Sequence, residues 1–125
     1  MLKTIKTELA PAAIGPYSQG VLAGTTLYVS GQIPFIAATM KLAGDDIQSQ
    51  TRQSLQNVKA IVEAAGYAIS DIVKCTVFIK DMNEFPAMNA VYQEFFGEHK
   101  PTRSTVEVAR LPKDVKVEID AIAVR

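Results

Sequence analysis

The sequence is poor in the residues from which several kinds of functional site are built. Its 125 residues include one cysteine, Cys75, one histidine, His99, and no tryptophan. A single cysteine excludes an internal disulfide framework. One cysteine and one histidine cannot supply the four ligands of a structural zinc site or the three histidines of a catalytic one. Carboxylates could hold magnesium, but they form no clustered run, so we expect no metal site.

Charge of one sign is also missing. Thirteen basic and thirteen acidic residues give a formal net charge of zero, and no block of lysine or arginine occurs. Proteins that bind a phosphate backbone usually carry a basic excess on one face, so nucleic acid is not an expected partner. The first residues lack the apolar segment of a secretory signal, so we expect a cytoplasmic protein.

A long stretch, residues 9–40, contains no charged residue and no histidine. Its length would suit a membrane span, but prolines and glycines interrupt it too often for a helix in lipid, so we expect no membrane partner. A β-hairpin fits better, with strands at Gly20–Ala23 and Thr26–Ser30 and a turn at Gly24-Thr25. The stretch indicates a subunit contact or a lined pocket, or else ordinary core strands with an uncharged loop.

Two amphipathic helices are expected. The first is capped by Asp45 and ends before Gly66, with apolar residues at steps of three and four between them. The second begins at an Asn83 cap and ends at Gly97. His99 follows in a polar connection, where we expect it to be solvated and without a catalytic role.

Two further segments are predicted to be strands. Leu2–Thr7 is a short first strand, and Asp71–Lys80 alternates so that Val73 and Cys75 belong to its apolar face. A cysteine among aliphatic residues is usually a small, inert hydrophobe rather than a nucleophile. We therefore expect no catalytic thiol.

The last quarter of the chain predicts a hairpin of Arg103–Val108 and Val115–Val124. Pairing the apolar faces of these strands would put Arg103 and Glu118 together on the side of the sheet away from the helices. Such a face is often merely exposed and salt-bridged, but it can also carry a site. The order of elements predicts an α+β fold, one domain over residues 1–125, with two helices packed on one face of a mixed sheet.

Common catalytic signatures are missing as well. The only histidine lies in a connecting loop, so there is no nucleophile–histidine pair. The glycine spacings fit neither the dinucleotide-binding nor the P-loop pattern. Any chemistry must therefore rely on a carboxylate, a guanidinium, hydroxyls and backbone groups.

Several ordered blocks resemble the signature of the RidA (YjgF-type) reactive-intermediate deaminases, nearly end to end. The blocks are 12–20 (AAIGPYSQG), 29–34 (VSGQIP), 57–66 (NVKAIVEAAG), 76–81 (TVFIKD), 103–112 (RSTVEVARLP) and 117–123 (VEIDAIA). The resemblance implies a chorismate-mutase-like α+β subunit. It also implies a homotrimer in which three sheets enclose a central barrel, with the sites in the clefts between subunits.

The resemblance further implies a reaction without a cofactor. Enamine and imine intermediates such as 2-iminopropanoate and 2-iminobutanoate would be hydrolysed to 2-oxo acids and ammonia. Arg103 would clamp the substrate carboxylate, and Glu118 would position a water. The other implied contacts are Tyr17 from the neighbouring subunit, Ser30, the Gly31 backbone, Asn89 and the backbone N–H of Thr105.

Two other functions stay open. Relatives have been described as ribonucleases or translation inhibitors, against which the zero net charge argues. A trimer that senses 2-oxo acids and regulates a partner enzyme would use Arg103 equally well. Thr105 stands where many members carry a cysteine, so a thiol-dependent side activity is not implied.

Overall fold

The computed structural model describes residues 1–125. Its strands and helices follow in the order β1 (Leu2–Ile5), β2 (Gly20–Ala23), β3 (Thr26–Gln32), β4 (Phe35–Ile36), β5 (Lys41–Leu42), α1 (Ile47–Ala64), β6 (Ile72–Ile79), α2 (Phe85–Phe96), β7 (Thr102–Glu107) and β8 (Val117–Val124). Six strands form one sheet in the order β1-β2-β3-β8-β6-β7, and β4 and β5 form a separate ribbon. Only β6 and β7 pair in parallel. The predicted α+β fold with a mixed sheet is confirmed.

Both helices pack on one face of the sheet, and the core lies between the helices and the sheet. Twenty buried residues form one hydrophobic cluster there. The α1 stripe contributes Leu55, Val58 and Val62, none of which is exposed. Burying one such side chain stabilises the fold by roughly 1.5 to 3 kcal/mol. Neither helix combines the length and the apolar composition that crossing a bilayer would require.

The start of α1 differs from the prediction by one residue. Asp46, not Asp45, is the cap, and its Oδ2 accepts a hydrogen bond from the Ser49 N–H at 2.9 Å. That bond lowers the pKa of the Asp46 carboxyl. The predicted end is confirmed, because Gly66 adopts a left-handed φ of 82° just beyond the helix.

The predicted Asn83 cap of α2 is wrong. A 3₁₀ turn, Met82–Glu84, precedes the helix, and Asp81 caps that turn by accepting a hydrogen bond from the Asn83 N–H at 2.9 Å. The helix itself begins at Phe85 and ends, as predicted, at Gly97.

The strands β1 and β6 differ from their predicted forms. β1 ends at Ile5 because the Thr7 N–H donates to Gln19 Oε1 at 2.7 Å instead of joining the sheet ladder. In β6, Ile72 pairs with Ala123 and Lys74 with Ile122, so Val73 is an extra residue. This bulge leaves Val73 45% exposed, and its predicted place on the apolar face is wrong.

The predicted C-terminal hairpin is also wrong. β8 pairs with β3 on one side and with β6 on the other, so none of its edges is left for β7. β7 instead runs parallel to β6 at the edge of the sheet, with Arg103 opposite Cys75. Cys75 faces the helices, whereas Glu118 lies opposite Phe78 on the other face. Arg103 and Glu118 therefore lie on opposite faces of the sheet.

Candidate active site

Arg103 is held against α2 by three side chains. Its Nη1 donates to Asn89 Oδ1 at 2.7 Å. Its guanidinium carbon lies 4.7 Å from the ring centroid of Tyr92 and 5.4 Å from that of Phe85. These three residues share one side of α2, because they are four and three positions apart. The other guanidinium N–H groups stay available for a planar, bidentate contact with a carboxylate.

A cavity of about 460 Å³ opens beside Arg103, between the end of α2 and its connection to β7. Its wall combines polar and apolar surface and consists of Asn89, Tyr92, Gln93, Phe96, Gly97, His99, Lys100, Pro101 and Arg103. A small carboxylic acid can therefore approach the guanidinium from this side.

Thr105 lies two residues beyond Arg103 on the same face of β7. Its Oγ1 is buried and has no hydrogen-bond partner. The Val108 N–H donates to Ile79 O at 2.9 Å, and N–H groups alternate in direction along a strand. The Thr105 N–H therefore points away from β6 to the open edge, where it can donate to a ligand. We call Arg103, Asn89 and Thr105 the arginine half.

Glu118 lies on the helix-free face, directly over Gly31. A Cβ built on Gly31 would overlap Glu118 Oε2 and lie 2.9 Å from its Cδ. The close approach arises at a bulge in β3: Val29 pairs with Ala121 and Gln32 with Ile119, so two β3 residues oppose one β8 residue. Gly31 is thus the residue that leaves room for the carboxylate.

The Glu118 carboxylate is half-buried and makes no hydrogen bond or ion pair within the chain. Burial raises its pKa, and the charge of nearby Asp120 raises it further. Asp120 is itself fixed, since its Oδ1 accepts a hydrogen bond from the Thr76 N–H at 2.9 Å. A carboxylate with a raised pKa and no partner is well suited to accept a proton from a bound water.

Ser30 and Tyr17 lie beside Gly31. The Ser30 Oγ donates to Ser18 O at 2.5 Å, which ties β3 to the loop that carries Tyr17. Tyr17 is 51% exposed and lines a small cavity together with Gly31. We call Tyr17, Ser30, Gly31 and Glu118 the carboxylate half.

Gln19 organises the loop around Tyr17, and sequence reasoning did not single it out. Its side chain is 4% exposed. Nε2 donates to the carbonyls of Ala10 and Pro11 at 3.2 and 2.8 Å, while Oε1 accepts from the Thr7 N–H. The available signal was its amide side chain within the long uncharged stretch.

One chain does not bring the two halves together. β6 separates β8 from β7, so Glu118 and Arg103 belong to strands roughly 10 Å apart, and they point to opposite faces. A small ligand cannot touch both side chains of the same chain.

His99 and Cys75 belong to neither the arginine half nor the carboxylate half. His99 is not freely solvated as predicted, because it is half-buried and its Nε2 lies 2.7 Å from Ile72 O. Cys75 is fully buried, which confirms its predicted place in the core, and burial raises the pKa of its thiol to about 11.

Comparison with known proteins gives a consistent picture. The family described as endoribonuclease L-PSP matches residues 7–125. Over 128 aligned positions the chain is 62% identical to the 2-iminobutanoate/2-iminopropanoate deaminase of Salmonella typhimurium. The alignment covers 100% of this chain and 99% of the deaminase. Among solved structures, E. coli TdcF with bound serine is 58% identical with a TM-score of 0.95, and the E. coli YjgF gene product is 62% identical with a TM-score of 0.95. Each match covers 98% of both chains.

Proposed function

The chain belongs to the endoribonuclease L-PSP family, which is the family of the RidA (YjgF-type) deaminases, and on that premise we propose an active site divided between two subunits. The protein is a reactive-intermediate deaminase that converts 2-iminobutanoate and 2-iminopropanoate to 2-oxo acids and ammonia. Its substrate is therefore a small molecule.

The arginine half binds the substrate in this proposal. An imino acid carries a carboxylate next to its C=N bond, and the planar guanidinium of Arg103 matches that carboxylate with two parallel hydrogen bonds. The outward N–H of Thr105 adds a third donor at the open edge of β7. Fixing the carboxylate also fixes the imine carbon relative to the protein.

The carboxylate half carries out the proton transfers. Glu118 accepts a proton from a water molecule while the water oxygen bonds to the imine carbon and the imine nitrogen takes up a proton. Glu118 then passes the proton it took from water to the amino nitrogen of the resulting carbinolamine. The C–N bond breaks as the hydroxyl proton returns to the solvent that protonated the imine nitrogen, and ammonia leaves with a 2-oxo acid as the second product. Ser30, the Gly31 backbone and Tyr17 form the wall around the reacting carbon.

The separation of the two halves is the observation that carries this proposal. Because Arg103 and Glu118 of one chain face opposite ways, a complete site requires the arginine half of one subunit and the carboxylate half of its neighbour. In a closed cyclic homotrimer of these single domains, each of the three clefts would receive both halves, with the helix-free faces lining a central barrel. We place this trimer in the cytoplasm, with no nucleic acid partner.

Mixed trimers test the division. Arg103→Ala and Glu118→Gln should each be nearly inactive in ammonia release from 2-iminopropanoate made in situ by a serine dehydratase. Unfolding the two variants together and refolding them in equal amounts gives a random mixture. A site is intact only when the subunit giving arginine carries Glu118→Gln and the subunit giving the carboxylate carries Arg103→Ala. Roughly a quarter of the sites should therefore recover.

A matched mixture serves as the control. Tyr17 and Glu118 belong to the same half, so Tyr17→Ala mixed with Glu118→Gln should recover nothing. Native mass spectrometry establishes that mixed trimers have formed in both cases. Activity in the first mixture no higher than the mean of its parents would show that one chain holds the whole site.

A further inference from the structure

We infer that Phe85 and Tyr92 are positioning residues of the deaminase: their rings form a seat that holds the Arg103 guanidinium ready for the substrate carboxylate. The inference rests on the role proposed above for Arg103. It adds two residues that touch neither the carboxylate nor the reacting atoms.

The geometry of α2 supports the seat. Phe85 is the first residue of the helix and Tyr92 lies seven positions later, so both rings project from one side of it, with Asn89 between them. Both centroids lie within the 6 Å at which a ring face attracts a cation. The Asn89 Oδ1 then fixes one end of the guanidinium through Nη1. Two rings and one hydrogen bond restrict both the position and the rotation of the group.

The chemistry of the surroundings explains why rings are used. Arg103 forms no ion pair within the chain, although it is half-buried. An acidic partner would hold the guanidinium as firmly, but it would occupy the N–H groups that a substrate carboxylate needs. Ring faces attract the cation without neutralising it. The seat therefore orders Arg103 and leaves its charge free.

The position of β7 explains why a seat is needed. β7 is the edge strand and has β6 as its only neighbour, so no strand on its outer side restrains Arg103. Arginine has many rotamers, and ordering it only when the substrate arrives would weaken binding. A guanidinium ordered in advance avoids that loss.

The Tyr92 hydroxyl separates the role of the ring from that of its polar group. The hydroxyl is buried beside the Cys75 thiol and makes no hydrogen bond of ordinary geometry. Tyr92→Phe should therefore keep the seat intact, whereas Tyr92→Leu should remove half of it. Phe95→Leu is the matched control, since Phe95 is a half-buried ring on the same helix that packs on Phe96 and not on Arg103.

The experiment compares Tyr92→Phe, Tyr92→Leu, Phe85→Leu and Phe95→Leu in the assembled enzyme. KM and kcat are measured with 2-iminopropanoate, and the Kd of pyruvate is measured by calorimetry. Tyr92→Leu should raise KM and the pyruvate Kd by about tenfold and Phe85→Leu by about threefold, because each loses one cation–ring contact. Their kcat should fall by less than about threefold, as expected for a lost contact that is equal in the ground and transition states. Tyr92→Phe and Phe95→Leu should stay within about twofold of the parent.

Several outcomes decide the inference. If Tyr92→Leu and Phe85→Leu fold and keep the KM and pyruvate Kd of the parent, the seat does not exist. If Phe95→Leu weakens binding as much as they do, the effect is general packing and the inference is wrong. Should Tyr92→Leu not fold, Phe85→Leu alone decides by the same criterion. Retained activity in Arg103→Ala would instead overturn the proposed role of Arg103, which separates that failure from failure of the seat.

Discussion

The arginine half and the carboxylate half differ in the sheet face on which they lie and in the contacts that their charged side chains make. Arg103 lies on the helix face, where Phe85, Asn89 and Tyr92 of its own chain already surround it. Glu118 lies on the helix-free face without a hydrogen-bond partner, over a glycine at a bulge. In the proposed mechanism, the group that binds the substrate carboxylate is thus ordered in advance, while the group that takes up a proton is kept without a competing partner. The difference indicates that binding and proton transfer need different preparation.

Arg103→Lys tests the arginine half most severely. A lysine ammonium keeps the charge but cannot make two parallel hydrogen bonds or stack between the rings of Phe85 and Tyr92. We expect kcat/KM to fall by on the order of a hundredfold. The melting temperature should stay near that of the parent, because Arg103 makes no ion pair within the chain. Activity within a few-fold of the parent would mean that charge alone is enough and that the geometry of the half is irrelevant.

Gly31→Ala tests the carboxylate half. The added Cβ would collide with the Glu118 carboxylate and push it away from its position over β3. We expect kcat to fall by roughly ten- to a hundredfold, with a smaller change in KM. This is less than the roughly 10²- to 10⁴-fold contribution of a general acid or base, because the carboxylate is displaced and not removed. Gly15→Ala is the control, since its Cβ would meet only the Tyr17 ring at an ordinary 3.5 Å. Equal effects in the two variants would contradict a specific role for Gly31.

Asp120→Asn is the mildest test of the same half. In the proposed mechanism Glu118 must be ionised, so activity is expected to fall as the pH falls through its raised pKa. Burial is the larger cause of that increase and Asp120 the smaller. Asparagine keeps the oxygen that accepts from the Thr76 N–H but removes the negative charge. The acid limb of the pH profile of kcat/KM should therefore move to lower pH. A limb that stays in place or moves to higher pH would exclude coupling between the two carboxylates.

Features that depend on local sequence were predictable. The β2–β3 hairpin and the glycine ends of both helices are found as expected, because turn residues and left-handed glycines act over a few positions. Helix starts depend on more than the local sequence. Asp45 and Asp46 offer the same carboxylate one residue apart, and only the fold decides which of them caps α1.

Strand partners depend on distant parts of the chain and were not predictable. The predicted alternation within β7 is confirmed, but the apolar Val106 predicts the wrong face to be buried. In the fold Val106 is 41% exposed, and Arg103 faces the helices instead. Bulges have a similar effect: at Val73 and at Gly31 one extra residue shifts the pattern without any local mark in the sequence.

Arg103 and Glu118 were indicated by strand alternation and the other candidate site residues by family resemblance, and the arrangement of all of them came only with the fold. Nothing in the spacing of Arg103 and Glu118 indicates that a whole strand lies between theirs. The ring seat was hidden for a different reason, since Phe85 and Tyr92 fit an ordinary apolar helix stripe. The unusual signal was Asn89, an amide within that stripe.

Because a strand and a sheet face separate Arg103 from Glu118, the turnover rate would also depend on the concentration of subunits. If neither half can turn over substrate alone, a newly made chain is inactive until it meets its partners. The rate per chain then rises with the amount of protein present and falls on dilution, even though every chain is folded. Abundance itself becomes a control on how quickly reactive imines are removed.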